Sequence, residues 1–354
     1  MSIFKNIKDS LIEQVEKEAS TYLKYPLLKT GKLLNGYKQG DFIVVGGRKT
    51  SGRGYFVLNN YLINPLIQKQ KANKFGDRLD LNIIYFSTKK SKEIAIERMI
   101  VNYISNTNRG NKLSIPSLYG YSGMSSTVVT KPRAKAILSS VLNKFDKLEK
   151  EGVLDIITSK NSIDSLKDII YDIIRKFGEF DSTETSFTYN EEYKDQNTII
   201  VIDDASGIID ETGTPALRNL TAIKLASLLR DTAIMLDVLI VLSVPSHDVY
   251  NKAALYKGTL SSINPYDTYA DRVILLHNPL ESEDAKVFDY EMSAFTNKKS
   301  GISYFRFAHI ISNYLGASGI IIPLFMYPEN GYFKELPKAE DDENLDEFYT
   351  TVEI

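Results

Sequence analysis

One short segment carries the strongest chemical signal in this chain. It reads Gly46-Gly47-Arg48-Lys49-Thr50-Ser51-Gly52-Arg53-Gly54, after an apolar run (Phe42-Ile43-Val44-Val45) and before a helical pattern, Tyr55 to Leu62. A glycine-rich turn between a strand and a helix gathers backbone N–H groups into a cradle for phosphate. Gly47 and Gly52 stand at the P-loop spacing. That formula next asks for a lysine, which reaches the β- and γ-phosphates, and a hydroxyl, which holds Mg²⁺. The chain offers Arg53 and Gly54 instead. A guanidinium forks well on phosphate, so Arg53 stands for a phosphate ligand or for a solvated loop arginine. Gly54 has no side chain to give to a metal. The candidate cofactor set is therefore Gly47, Arg48, Thr50, Gly52, Arg53, Gly54 and Asp203, for ATP or ADP with Mg²⁺. Asp203 and Asp204 end the apolar run Thr198–Ile202, and the two read equally as Mg²⁺ ligands or as helix-capping or turn residues. Lys89, Lys90, Lys298 and Lys299 are candidate nucleic-acid contacts, against the alternative of an ordinary solvated rim. No catalytic residue is assigned.

The elements that must position these groups follow from periodicity. Buried strands are expected at Phe42–Val45, Leu81–Ser87, Val153–Thr158, Thr198–Ile202, Val238–Ser243 and Arg272–His277. Helices are expected to about Gln70, at 91–104 with Ser91 as N-cap, at 133–151, 164–177 and 214–236. Residues 178–197 read as a polar excursion, and 287–296 with 301–309 as a β-hairpin turning at Asn297–Gly301. Strands alternating with helices imply a mostly parallel sheet wrapped by helices. An amphipathic helix at 7–20 belongs to an N-terminal segment, 1–24. The core spans 25–336, and 337–354 is an acidic tail expected to be disordered. The segment 311–336 is apolar enough to be ordered, with no role assigned to it.

Composition narrows the classes. With no cysteine among 354 residues, disulfides, thiolate metal sites and cysteine nucleophiles are excluded. The three histidines (His247, His277 and His309) show no metal-ligand spacing. A net charge of −2 gives no global attraction to nucleic acid. No signal segment and no apolar run of about 18 residues is present, so a cytoplasmic protein is expected. Abundant Lys, Asn, Ile and Tyr fit an AT-rich genome such as many phages carry.

Taken in order, these blocks resemble the RecA-like domain of DnaB-type replicative helicases (superfamily 4). The carriers are Leu28 through Arg48 with its Gly40-Asp41 pair, Ile84 through Ser91 followed by Glu97-Arg98, and Thr198 through Asp204. Further on they are Arg218 through Leu229 with Val238 through Ser243, Ala270 through His277, and the hairpin at 290–307. The match covers residues 25–310 and leaves no counterpart of the family's N-terminal primase-interacting domain. Helix 7–20 sits where the family has a linker helix that packs on the neighbouring subunit. The fold implied is α/β, a RecA-like P-loop fold with a C-terminal β-hairpin.

The resemblance also marks departures. Arg53 and Gly54 replace the P-loop Lys and Thr, and Lys89 stands where the family has its catalytic Glu. Val244 takes the place of the sensor Gln, and the finger cations have no clear equivalent beyond Lys298 and Lys299. Phosphoryl transfer depends on positioned charge, so the expectation is a homologue that has lost hydrolysis and acts as a structural or regulatory oligomer. It would form a ring, a filament or a hetero-complex with helicase-like proteins, tied to DNA replication or phage nucleic-acid machinery. Two alternatives stay open: an active divergent ATP-dependent helicase or translocase, and a nucleotide-binding sensor. Single-stranded DNA is a further expected partner, through loop tyrosines Tyr119, Tyr121, Tyr250, Tyr256, Tyr266 and Tyr269, which otherwise serve packing.

Overall fold

The apolar runs become strands because a parallel strand buried on both faces must be apolar along its whole length. In the computed structural model they are β1 (Phe42–Gly47), β2 (Leu81–Ser87), β3 (Leu154–Ile157), β4 (Gly178–Phe180), β5 (Phe187–Tyr189), β6 (Asn197–Asp203), β7 (Leu239–Pro245) and β8 (Arg272–His277). They continue through β9 (Lys286–Val287), β10 (Tyr290–Glu291), β11 (Phe305–Asn313), β12 (Ile320–Tyr327) and β13 (Tyr332–Glu335). The structure describes residues 23–24, 36, 38–77, 79–107, 113–114, 118, 131–158, 162–208, 214–246, 265–279, 285–314 and 316–353. The expected helix 7–20 lies outside them.

One nine-stranded sheet runs β13-β12-β11-β8-β1-β7-β6-β2-β3. From β8 to β3 every pairing is parallel; β11, β12 and β13 extend the edge antiparallel. Successive side chains of a strand face opposite ways, so β1 feeds two cores. Ile43 and Val45 enter one, and Phe42 and Val44 enter the other. The first core is roofed by α1 (Arg53–Leu58), α2 (Asn64–Phe75), α3 (Lys92–Thr107) and α4 (Lys131–Lys150). The second is roofed by α5 (Ile163–Ile174) and α6 (Pro215–Leu236). A four-residue helix, α7 (Tyr266–Tyr269), packs beside α6. Helices α1 and α2 are one continuous run joined by a π turn, Asn59–Ile63, and it reaches five residues beyond the expected end at Gln70.

Three expectations are corrected. The excursion at 178–197 holds a small hairpin, β4 with β5, whose Phe180 and Phe187 rings pack edge-on at 4.9 Å. The hairpin expected over 287–296 and 301–309 is reduced to a two-residue ladder, β9 with β10, and a single bridge, Thr296 to Ser303. Met292 and Phe295 sit three residues apart in a 3₁₀ turn and both face a third core, built with Phe305, Phe307 and Phe325 of β11 and β12; that spacing is helical, not the period of two a strand needs. The antiparallel C-terminal strands are β11, β12 and β13 instead, which gives 311–336 its place in the sheet.

The acidic tail is also ordered. Residues 342–353 form α8 (Asp342–Glu353), whose Leu345, Phe348 and Val352 are buried against Phe295, Phe305 and Phe325. Their spacing of three and four places them on one helical face. The acidic residues take the others, and Glu347 pairs with Lys334 of β13 at 2.7 Å.

A candidate nucleotide site with its cations built in

Register sets the stage. Ser243 of β7 lies opposite both Val45 of β1 and Asp203 of β6, and Asp203 lies opposite Ser87 of β2. The loop after β1 and the acid at the end of β6 therefore share the carboxyl-end edge of the sheet, where open α/β sheets bind ligands. Ser243 and Ser87 are both buried in the row between and beside them.

The loop itself is tightly built. After β1 the chain makes a 3₁₀ turn (Lys49–Ser51), passes Gly52 at φ 81°, and enters α1. That left-handed angle favours glycine. A Cβ there would also stand 2.4 Å from Met326 Sδ, because β12 and β13 lie over the loop. Ser51 Oγ donates to Arg48 O at 2.7 Å.

Arg53 does not project into solvent. It is nine-tenths buried, donating from Nη1 to Gly47 O at 2.8 Å and from Nη2 to Asp204 Oδ2 at 2.8 Å. The guanidinium thus ties the first glycine of the loop to the acid pair at the end of β6. Burial lowers its pKa, and Asp204 opposes the shift.

Asp203 is the hub. It is 2% exposed, and its Oδ2 accepts from Tyr85 Oη at 3.0 Å, Lys90 Nζ at 3.3 Å and Arg98 Nη1 at 3.4 Å. Burial alone pushes a carboxyl up. Here the cations Lys90, Arg98 and Arg53, with the Tyr85 hydroxyl, outweigh it and hold Asp203 at about 2. Tyr85 responds in the opposite sense: burial first, then the Asp203 charge, raises its phenol well above the ordinary value. Asp204 is fixed by Thr88, whose Oγ1 donates to Asp204 O at 2.7 Å and accepts from Asp204 N at 2.9 Å.

The residues present do not fit a divalent cation. A Cβ on Gly54 would meet Arg98 Nη2 at 2.8 Å and the Asp203 carboxylate oxygens at 3.4 and 3.5 Å. The guanidinium of Arg98 therefore fills the space where the P-loop hydroxyl would reach toward a metal and the Walker acid. Its placement is over-determined: it is 8% exposed, and its guanidinium lies 4.5 Å from the Tyr55 ring centroid. Tyr55 in turn rests against Gly331, where a Cβ would stand 2.0 Å from the ring. Burial opposes the Arg98 charge, but Asp203, Tyr85 and Tyr55 together outweigh it, so the pKa is raised. Among the described residues no group of three or more His, Asp or Glu is placed to hold a metal.

The structure brings Gly47, Gly52, Arg53, Gly54, Asp203 and Lys90 together. Lys90 ion-pairs with Asp203 at 3.3 Å and is half-buried, while its neighbour Lys89 is exposed. Arg48 is half-buried and Thr50 exposed, both in the loop. Lys298 and Lys299 are exposed in a turn pinned by Asn297, whose Oδ1 accepts from Lys299 N at 3.0 Å and Ser300 N at 2.9 Å. Of the loop tyrosines, Tyr266 is buried and both Tyr266 and Tyr269 pack on the second core, as packing and not stacking residues. Tyr119, Tyr121, Tyr250 and Tyr256 lie outside the described residues. Sequence reasoning missed Arg98, Tyr85 and Thr88 as parts of the site, and it offered Asp204 only as a metal ligand or turn residue, not as the partner of Arg53. The one available signal was Arg98 itself, on the helix that follows β2.

No helix among the described residues is long and apolar enough to cross a membrane. No family model and no curated protein matches the chain. Solved structures do. The ATPase domain of G40P superposes with a TM-score of 0.63 at 15% identity, covering 95% of this chain and 99% of that one. A DnaB-like replicative helicase, solved for its interactions with primase, gives 0.61 at 14% identity, covering 93% of this chain and 67% of that one. The fold is thus that of RecA-like helicase ATPase domains, as the resemblance implied.

Proposed function

We propose that this chain is a relative of the DnaB-type replicative helicases that has lost ATP hydrolysis. In this reading it acts in the cytoplasm, the host's if the chain is phage-encoded, as a structural or regulatory oligomeric component of DNA-replication or phage nucleic-acid machinery. Shared architecture with the ATPase domain of G40P supports the relationship. One observation carries the loss of hydrolysis: Arg98 fills the space beside Gly54 and salt-bridges Asp203, so the metal-holding corner of the site is closed by a protein cation. Hydrolysis at such a loop needs lysine and metal on the phosphates and a group to orient water. Two of the three guanidinium nitrogens of Arg53, Nη1 and Nη2, are held by Gly47 and Asp204, and the position that should hold the base carries Lys89.

The test is ATP turnover with Mg²⁺ and single-stranded DNA, beside an Asp203→Ala control. No turnover above the control is expected. Turnover that the control abolishes would make the chain a divergent motor instead. A second reading, a nucleotide-binding sensor that does not hydrolyse, is favoured by the retained loop glycines, Gly47 and Gly52.

A further inference from the structure

We propose that the loop takes a di- or triphosphate group in metal-free form, with the Arg98 guanidinium standing in for the divalent cation. This deepens the non-hydrolysing reading by naming what the loop still binds and in what ionic form.

The argument begins with charge. Around the loop, Arg53, Arg98 and Lys90 bring three buried or half-buried cations against two carboxylates, Asp203 and Asp204. Among the described residues the cluster therefore keeps one positive charge in surplus. Mg²⁺ at a phosphate site is held by one or two carboxylates together with the phosphates; here the buried carboxylate that could serve, Asp203, is already held by Arg98 and Lys90. A polyphosphate carrying no metal brings its full negative charge and finds compensation already fixed in place, which a low-dielectric, preorganised site makes most effective.

Hydrogen-bonding capacity points the same way. Arg53 Nε is buried without a hydrogen-bond partner, while its Nη1 and Nη2 are held by Gly47 and Asp204. A buried donor left unmatched costs free energy, and an anion oxygen seated in the loop would satisfy it. Gly54 completes the case. Any side chain there would press on Arg98 Nη2 at 2.8 Å, so glycine is what allows the guanidinium to occupy this corner. The same step that removes the metal-binding hydroxyl admits its replacement. Mg²⁺ on the phosphates would compete with Arg98 for the same space and cancel charge that the cluster is built to meet.

The experiment is calorimetric titration of the full chain with ADP and with inorganic triphosphate, each in EDTA and in excess Mg²⁺. Binding in EDTA is expected, with Mg²⁺ leaving it unchanged or weaker. Triphosphate matching ADP would place recognition in the phosphates alone; ADP binding more tightly would add a nucleoside contact, and the metal-free inference holds in both cases. No binding in EDTA, or binding about tenfold or more tighter with Mg²⁺, a gap of about 1.4 kcal/mol, would overturn it. Arg53→Gln is expected to weaken binding in EDTA by about tenfold or more, since it removes a charged donor to phosphate. The double variant Gly54→Ser with Arg98→Ala restores a hydroxyl and empties the corner, and should convert binding to Mg²⁺ dependence. Thermal melts check that each variant is folded, and the wild-type comparison stands without them. The turnover assay fails separately: a chain that hydrolyses ATP would refute the reading this rests on, whereas metal-dependent binding without turnover would refute only the metal-free inference.

Discussion

Asp203 has to stay ionised while fully enclosed, and three cations and a phenol make that possible. Removing its charge leaves Arg98 and Lys90 without their counter-ion. Asp203→Asn should therefore cost about 3 to 5 kcal/mol, the range for breaking one side of a buried ion pair, measurable as a lowered urea midpoint at neutral pH. The pH dependence has a definite sign. The folded value, about 2, lies below the ordinary 3.8, so the contribution is present above about pH 4 and fades as pH falls toward 2. That gap corresponds to about 2 kcal/mol. The difference in urea midpoint between wild type and Asp203→Asn should therefore shrink between about pH 4 and about pH 2; a difference that stayed constant would mean that the charge on Asp203 is not what stabilises the site. At this scale the sequence was only half legible. Gly47, Gly52 and Asp203 announce themselves by spacing and by position at a strand end. Arg98 does not, because it meets Asp203 across 105 residues of chain, from a helix whose pattern says only that one face is apolar.

At the scale of elements, β12 and β13 couple the C-terminal half of the chain to the loop. Met326 and Phe333 lie over Gly52, and the turn between the two strands meets α3, where Asn102 Nδ2 donates to Gly331 O at 2.9 Å. Beneath β11 and β12, α8 closes the third core with Phe348, 5% exposed and 5.1 Å from the Phe325 ring. Phe348→Ala should destabilise the fold by about 3 kcal/mol, as large-to-small changes in a packed core do, and thermal melting reads it directly. An unaltered melting temperature would mean that α8 is not part of the cooperative unit. A second consequence concerns the loop. Gly52→Ala combines a left-handed angle with a collision at Met326, so trimming the neighbour in a Gly52→Ala, Met326→Ala double variant should recover only part of the stability lost. Full recovery would show that crowding alone, and not the backbone angle, makes glycine necessary. The parallel core of the sheet was legible because its strands are continuous apolar runs. Helix α8 was not, since charge density masks a stripe of only three apolar residues whose partners Phe295, Phe305 and Phe325 lie 20 to 57 positions earlier.

For the whole molecule, the question is what would hold the proposed oligomer together if no nucleotide cycle drives it. RecA-like domains associate through heterologous head-to-tail faces that close as rings or run on as filaments. In a motor, the ligand and its metal bring charge into the loop and link it to the neighbour. Here the corresponding cations and acids are already paired inside one chain, Arg53 with Asp204 and both Arg98 and Lys90 with Asp203. The loop is also braced by its own C-terminal strands. A subunit with these groups already engaged has little to gain in shape from Mg²⁺ and ATP. The proposed oligomer should therefore have the same sedimentation coefficient in Mg²⁺-ATP as in nucleotide-free buffer, at equal protein concentration. Assembly that appeared only with Mg²⁺-ATP would require the Arg98–Asp203 pair to open for a metal. That result would return the chain to the nucleotide-driven class, because a ligand can shift an equilibrium only by the difference in its affinity for the two states.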